Sequence, residues 1–444
     1  MNTEPVVAAA PEPNSALSQR QAFAAIAFSA LGWAFDLFDL FILLYVAPIL
    51  ARVFFPSRQQ MLSLAGVYAA FTATLVMRPL GGYAFGRYAD RNGRRGAMVA
   101  AATGVGVATA LMGCLPGVES IGVAATLLFL ALRLLQGVFM GGMVASTHTL
   151  GTESIDRRHR GLASGIISGG GSGVGKLLAS LVFLAVTSIC SPQQFRQWGW
   201  RLMFFSGLLS SLLGLLVFTR LHESPLWVNA RRAMRAQPGS DAPALAQRRL
   251  TGLGPAVVAC VLLTTAGGGL SYLSSGYLPS LLKLLKHLPP SVLGRMLSVS
   301  ALAVIACSVL AGRLSDVLGR RRAMLLYGVA ALVLLPLLDH ALARAESLAA
   351  ITLDAALLSG VGTLCYAPLL IVLNERFPTA LRSSGTALSW NIGFALGGSM
   401  PVVVSLLSRF SRDLPLVLAL ASAALALLYL AVAWLAPLRV NRME

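Results

Sequence analysis

Apolar residues fall in runs of about 20 along almost the whole chain, a length that spans a hydrocarbon core as an α-helix. The runs lie at roughly 22–50, 61–85, 97–115, 122–152, 162–188, 200–220, 253–281, 291–311, 323–338, 347–373, 383–408 and 413–438, which predicts twelve membrane-spanning helices. The longest polar break, 222–252, follows the sixth run. Residues 22–221 and 253–444 are therefore predicted as two six-helix bundles joined by a basic cytoplasmic linker. Part of that linker is either a short amphipathic helix on the inner leaflet or simply solvated chain. Residues 1–21 show no basic segment ahead of a short apolar one, and read as a disordered cytoplasmic tail before an uncleaved first span.

Composition agrees with an all-α integral membrane protein, since 56% of residues are apolar and only 12% charged, against about a quarter charged in soluble domains. The net charge of +18 alone would suggest nucleic acid or an anionic surface. Where the bases lie changes that picture. Of 35 Lys and Arg, 22 fall in the termini and the loops after even-numbered spans, ten lie in or beside the opposite loops, and Arg78, Arg133 and Lys176 lie within spans. That asymmetry puts both termini in the cytoplasm and makes the lipid bilayer, not nucleic acid, the surface partner. A multi-pass plasma-membrane protein, in a bacterial inner membrane, is expected. The five cysteines are scattered and the five histidines fall in separate segments. No disulfide framework, metal spacing or nucleophile–base constellation follows, so no cofactor, metal or enzymatic activity is expected.

A charged knot interrupts the apolar pattern twice. "FGRYADRNGRRGAMV" (85–99) and "AGRLSDVLGRRRAML" (311–325) match at Asp90 and Asp316, Gly93 and Gly319, and Arg94-Arg95 and Arg320-Arg321, an offset of 226 residues in 444. "TESIDRRHRG" and "NERFPTALRSSG" then match at Glu153 and Glu375, and at Arg160 and Arg382. These matches, in the same order in both halves, indicate parallel repeats about an axis along the membrane normal.

Those residues also carry a resemblance. "GRYADRNGRR" resembles the G-x-x-x-D-R-x-G-R-R loop signature of the major facilitator superfamily. "MRPLGGYAFGRYADRNGRR", "LRLLQGVFMGG", "WGWRLMFF", "ESPLW" and "NERFPTALRSSGTALSWNIGFALGGSMP" resemble, more narrowly, its metabolite:H⁺ symporter family, and "LGWAFDLFDLFIL" is also similar to the sialate/lactate H⁺ symporters. The resemblance implies the major facilitator fold, two bundles rocking about a cavity lined mainly by helices one, four, seven and ten. It implies a small-molecule substrate moved with protons by a secondary transporter, expected here to work as a monomer. Asp90, Arg91, Arg94, Glu153 and Arg160, with Asp316, Arg320, Glu375 and Arg382, would form gating clusters that hold the cytoplasmic side closed in one state and break in the other. Otherwise the bases serve topology alone.

Ionisable residues inside hydrocarbon cost about 2.5–3.5 kcal/mol each on insertion scales, so each is a functional candidate. Asp36 and Asp39, three apart on helix one, share a face near mid-membrane. They are candidates for proton coupling, Asp39 matching the second acid of the family's E-W-[FY]-D-F pattern. Arg133 and Gln136 match the family's R-x-x-Q-G, and the guanidinium could hold a substrate carboxylate or a helix-one aspartate. Tyr272, Tyr277 and Asn391 match the family's helix-seven tyrosines and helix-eleven asparagine, and could bind substrate or merely pack. The chain departs from the family at Met143, where the usual acid is missing, and at Lys176, an added base beyond the glycines 169–171, 173 and 175. Lys176 is expected either to bind an anionic substrate or to pair with Asp36 or Asp39. Proton-coupled uptake of a small organic acid is the expected function. Proton-antiport efflux, or symport of a zwitterionic osmolyte or sugar acid, stay open, though 162–188 lacks the proline of the exporters' helix-five signature.

Overall fold

The computed structural model describes residues 19–92, 94–153, 157–220, 254–377, 382–411 and 413–435. The 222–252 linker and most of the predicted tail lie outside them. The apolar runs become α1 (Gln19–Phe54), α2 (Gln60–Asn92), α3 (Arg94–Cys114), α4 (Val123–Glu153), α5 (Arg160–Ile189) and α6 (Trp200–Arg220). The second half supplies α7 (Gly254–Lys286), α8 (Pro290–Leu318), α9 (Arg320–Arg344), α10 (Leu348–Arg376), α11 (Arg382–Gly398, continued by Met400–Leu407) and α12 (Leu414–Leu435). Among the described residues, ten helical stretches are long and apolar enough to cross a membrane, and Val99–Cys114 is a shorter apolar helix. Helices suit this environment because each satisfies its own backbone polar groups. Their outward faces are apolar, with Leu310, Leu353 and Leu420 exposed. Arg201, at the start of α6, donates to the carbonyls of Gly113 (2.8 Å) and Leu115 (2.7 Å) and so caps the end of α3.

Glycines set two close seams. Between α2 and α4, a Cβ on Gly137 would strike the Thr74 carbonyl, and one on Gly141 the Arg78 carbonyl. Helix α5 is the more constrained element. Gly161, Gly165, Gly169 and Gly173, four apart and thus on one face, meet Gly312, Ser308 and Ile305 of α8. Its other face meets α1, where a Cβ on Gly171 would stand 2.8 Å from the Ala30 carbonyl. The glycine run thus lets two backbones approach, one from each half. Over Gly165–Gly170 this helix is π-helical, a local widening that often marks functional segments.

The end of the molecule that carries the repeated loops is closed. Asp316, in the last turn of α8, accepts hydrogen bonds from the backbone N–H groups of Gly161 and Leu162 (2.8 Å each) at the start of α5. Arg320 donates to Asp316 (2.8 Å) and to Glu375 (3.2 Å), tying α9 and α10 into the same knot. Gly319 makes the α8–α9 turn at φ +82°, a conformation that disfavours a side chain and explains the glycine of the motif. Arg160, half-buried, begins α5. The side chains of Asp90, Arg91, Arg94, Glu153 and Arg382 lie outside the described residues. Nearer the middle, Ser164 and Ser168 donate to the Ala367 carbonyl (3.1 and 2.9 Å), and Trp33 donates to the Tyr366 hydroxyl (3.1 Å).

Removing the carboxylate in Asp316→Ala leaves two helix-start N–H groups and Arg320 without this acceptor. Charge-assisted bonds of this kind are worth about 1.5–3 kcal/mol each, so the open population at this end should rise at least about tenfold. Spin labels at the exposed Arg158 and Arg322, on a cysteine-free background, would report a longer distance population. An unchanged distribution would show that the knot does not hold this end shut.

Candidate functional site

Asp36 and Asp39 sit roughly 26 and 30 Å along α1 at about 1.5 Å per residue, and both are buried. An i,i+3 pair is splayed by about 60° around a helix, so the two carboxylates meet different neighbours. Asp36 Oδ1 accepts from Arg78 Nη2 on α2 at 2.9 Å, and both side chains are almost wholly buried. Asp36 Oδ2 and the Nε and Nη1 of Arg78 make no hydrogen bond. The guanidinium lies 5.9 Å from the centre of the Phe394 ring on α11. Of the pairings left open between the helix-one aspartates and Arg133 or Lys176, none falls on Asp36: Arg78 is its partner. A within-span arginine in "MRPLGG" was the signal. Its placement depends on Gly141, whose missing side chain lets the Arg78 backbone close on α4.

Asp39 turns toward α4 and α6. A Cβ on Gly207 would stand 3.1 Å from its Oδ1, and the Arg133 guanidinium is its electrostatic partner. Arg133, buried, donates from Nη1 to Gln136 Oε1 at 2.7 Å, and Gln136 Nε2 donates to Thr109 Oγ1 on α3 at 2.7 Å. Thr109 in turn donates to the Val105 carbonyl at 2.8 Å. Gln136 and Thr109 therefore hold the guanidinium in place, and the Arg133 ring contact is with Phe129 at 5.6 Å. Neither Thr109 nor Gly207 carried any signal in the sequence.

Lys176 pairs with neither aspartate. Its Nζ is buried without a hydrogen-bond partner, 5.0 Å above the Phe41 ring of α1. Gly175 places it there, because a Cβ at that position would lie 2.9 Å from the Phe38 nitrogen. Tyr272 is wedged between Phe71 and Phe394, with its hydroxyl unpartnered beside the Asp36–Arg78 pair. Tyr277 is stacked on Tyr68 at 5.1 Å and its hydroxyl shares a 3.2 Å hydrogen bond with Ser405. Asn391, half-buried, donates to the Ala387 carbonyl of its own helix, leaving its Oδ1 unpartnered. The structure thus brings Tyr272 to the charged layer, and occupies Tyr277 in packing.

Opposite the closed end lies a cavity of about 290 Å³, lined by Arg52, Arg196, Lys283 and His287 together with Tyr45 and Phe183. None of its lining residues is acidic. Lys283 feels the like charges of Arg196 and Arg52.

Residues 22–400 match the family model of the Major Facilitator Superfamily. The chain belongs to that superfamily. Among its relatives, an inner membrane metabolite transport protein of Escherichia coli (strain K12) is 30% identical over 376 residues, 84% of each chain. The alpha-ketoglutarate permease of the same strain is 29% identical over 412 residues, 91% of each chain. A glycine betaine/proline/ectoine/pipecolic acid transporter of Dickeya dadantii (strain 3937) is 28% identical over 398 residues, 88% of this chain and 78% of that one. The fold is similar to the crystal structure of a D-xylose-proton symporter, with a TM-score of 0.70 and 18% identity, covering 92% of this chain and 97% of that one. The major facilitator fold has two six-helix bundles, and this protein is a multi-pass membrane transporter of metabolites, not an enzyme.

Proposed function

We propose that the protein takes up a small organic anion together with protons by alternating access. The observation that carries this reading is the basic cavity, which gathers Arg52, Arg196, Lys283 and His287 without an acid among its lining residues. Such a funnel raises the local concentration of anions and repels cations. With both termini cytoplasmic, as the positive-inside asymmetry supports, the Asp316 knot lies inside and the cavity faces outward. Asp90, Arg91, Arg94, Glu153, Arg160, Glu375 and Arg382 would join Asp316 and Arg320 as the inner gate.

Proton coupling is assigned to Asp39 and Asp36, each facing an arginine. When a carboxyl takes a proton its arginine loses an anionic partner and becomes available to another anion, so proton and substrate binding reinforce each other. The likeness to the alpha-ketoglutarate permease favours an organic acid, whereas the likeness to the betaine/proline transporter favours a zwitterion. Uptake into proteoliposomes decides between them. An inside-alkaline gradient should drive accumulation of 2-oxoglutarate or lactate well above the outside concentration, and a protonophore should collapse it. Accumulation of glycine betaine alone would replace the anion with a zwitterion, and uptake indifferent to the gradient would remove the coupling.

A further inference from the structure

Five ionisable residues lie mid-span in the first half, and their charges do not balance. Asp36 faces Arg78 and Asp39 faces Arg133, which leaves the ammonium of Lys176 uncompensated. A buried charge without a hydrogen-bonding partner is costly, and the aromatic face of Phe41 offsets only part of that cost. Around Lys176 the protein leaves further hydrogen-bonding capacity unused. Ser275 on α7 and Ser300 on α8 are buried, and the hydroxyl of each lacks a partner. All three residues line one small cavity, closed down to about 10 Å³, room for a single water-sized group. Tyr45 lines both this chamber and the basic vestibule, and its hydroxyl donates to the Lys176 carbonyl at 3.1 Å. Phe183 packs on Tyr45 from the vestibule side, 6.2 Å between ring centres.

We propose that Lys176, Ser275 and Ser300 form a subsite for one carboxylate group, reached from the basic vestibule past Tyr45. This rests on the reading of the substrate as an organic anion, and it names where one of its carboxylates sits. The ammonium neutralises the single negative charge, and the two hydroxyls donate to its oxygens. Because Lys176 belongs to the first half and both serines to the second, the bound carboxylate links the bundles, and the chamber widens beyond its present volume of about 10 Å³ to admit it. An anion without a carboxylate-sized head, or a neutral sugar, would leave the ammonium unmatched.

Thermal shift and calorimetry of the full chain in nanodiscs test the site, with lactate, 2-oxoglutarate, glycine betaine and sodium chloride as probes. Wild type should be stabilised by a carboxylate, and Lys176→Met should bind the same probe at least about tenfold more weakly, the loss of one charge-assisted hydrogen bond. Ser300→Ala should weaken it less. Removing an unpaired buried charge should leave Lys176→Met at least as heat-stable as wild type without ligand, so a folding defect cannot mimic the result, and Ser300→Ala provides a milder variant. Equal affinity of wild type and Lys176→Met for a carboxylate overturns the subsite and leaves organic-anion transport standing. If chloride stabilises wild type through Lys176 and carboxylates do not compete, the chamber is a halide site and the proposal fails. If no carboxylate stabilises wild type, both the subsite and the organic-anion reading fall.

Discussion

Asp39→Asn should abolish proton-driven accumulation while leaving substrate exchange across the membrane in place. Asparagine keeps the shape of the side chain beside Gly207 and Arg133 but has no proton to exchange. One pH unit is worth about 1.4 kcal/mol per proton, so a gradient of two units can drive roughly a hundredfold accumulation at one proton per substrate. In the variant that ratio should fall to about one. Counterflow of labelled against unlabelled substrate needs only binding and rocking, and should survive within about tenfold. The pair of assays separates coupling from folding. A variant that still concentrates substrate in response to an inside-alkaline gradient would return the coupling role to Asp36.

Arg78→Met should cost the protein about 3–5 kcal/mol of stability, the penalty for removing one partner of a buried ion pair. Asp36 would keep its position under α2 with no cation to compensate it, since Arg133 faces Asp39 and Lys176 lies over the Phe41 ring. Replacing the carboxylate as well, in Asp36→Asn with Arg78→Met, should recover most of the loss, because the strong penalty comes from an orphaned charge and not from the absence of the pair. Melting of the purified single and double variants in one detergent measures both effects. Equal destabilisation by the single and the double variant would mean that Arg78 acts through packing on Phe394 and α4 alone.

The long helices and the repeated loop motif were legible in the chain alone. Both follow from local rules, namely run length against membrane thickness and repeat offset. The sequence also marked Asp36, Asp39, Arg133 and Lys176, since charge inside an apolar run is visible without any partner. The residues' partners were a different matter. Asp36 and Asp39 are three apart in the chain, yet about 60° of helical splay sends one to α2 and the other to α4 and α6. Which base each aspartate meets depends on how closely α2 and α5 approach their neighbours, and that is set by Gly141 and Gly175 through side chains that are not there. Likewise Ser275 and Ser300 are unremarkable residues in their helices, and only the packing of α8 against α5 and of α7 against α1 brings them to the chamber of Lys176. Periodicity and charge are properties of a stretch of chain, whereas pairing across helices is a property of distances between them. Tertiary structure alone supplies those distances.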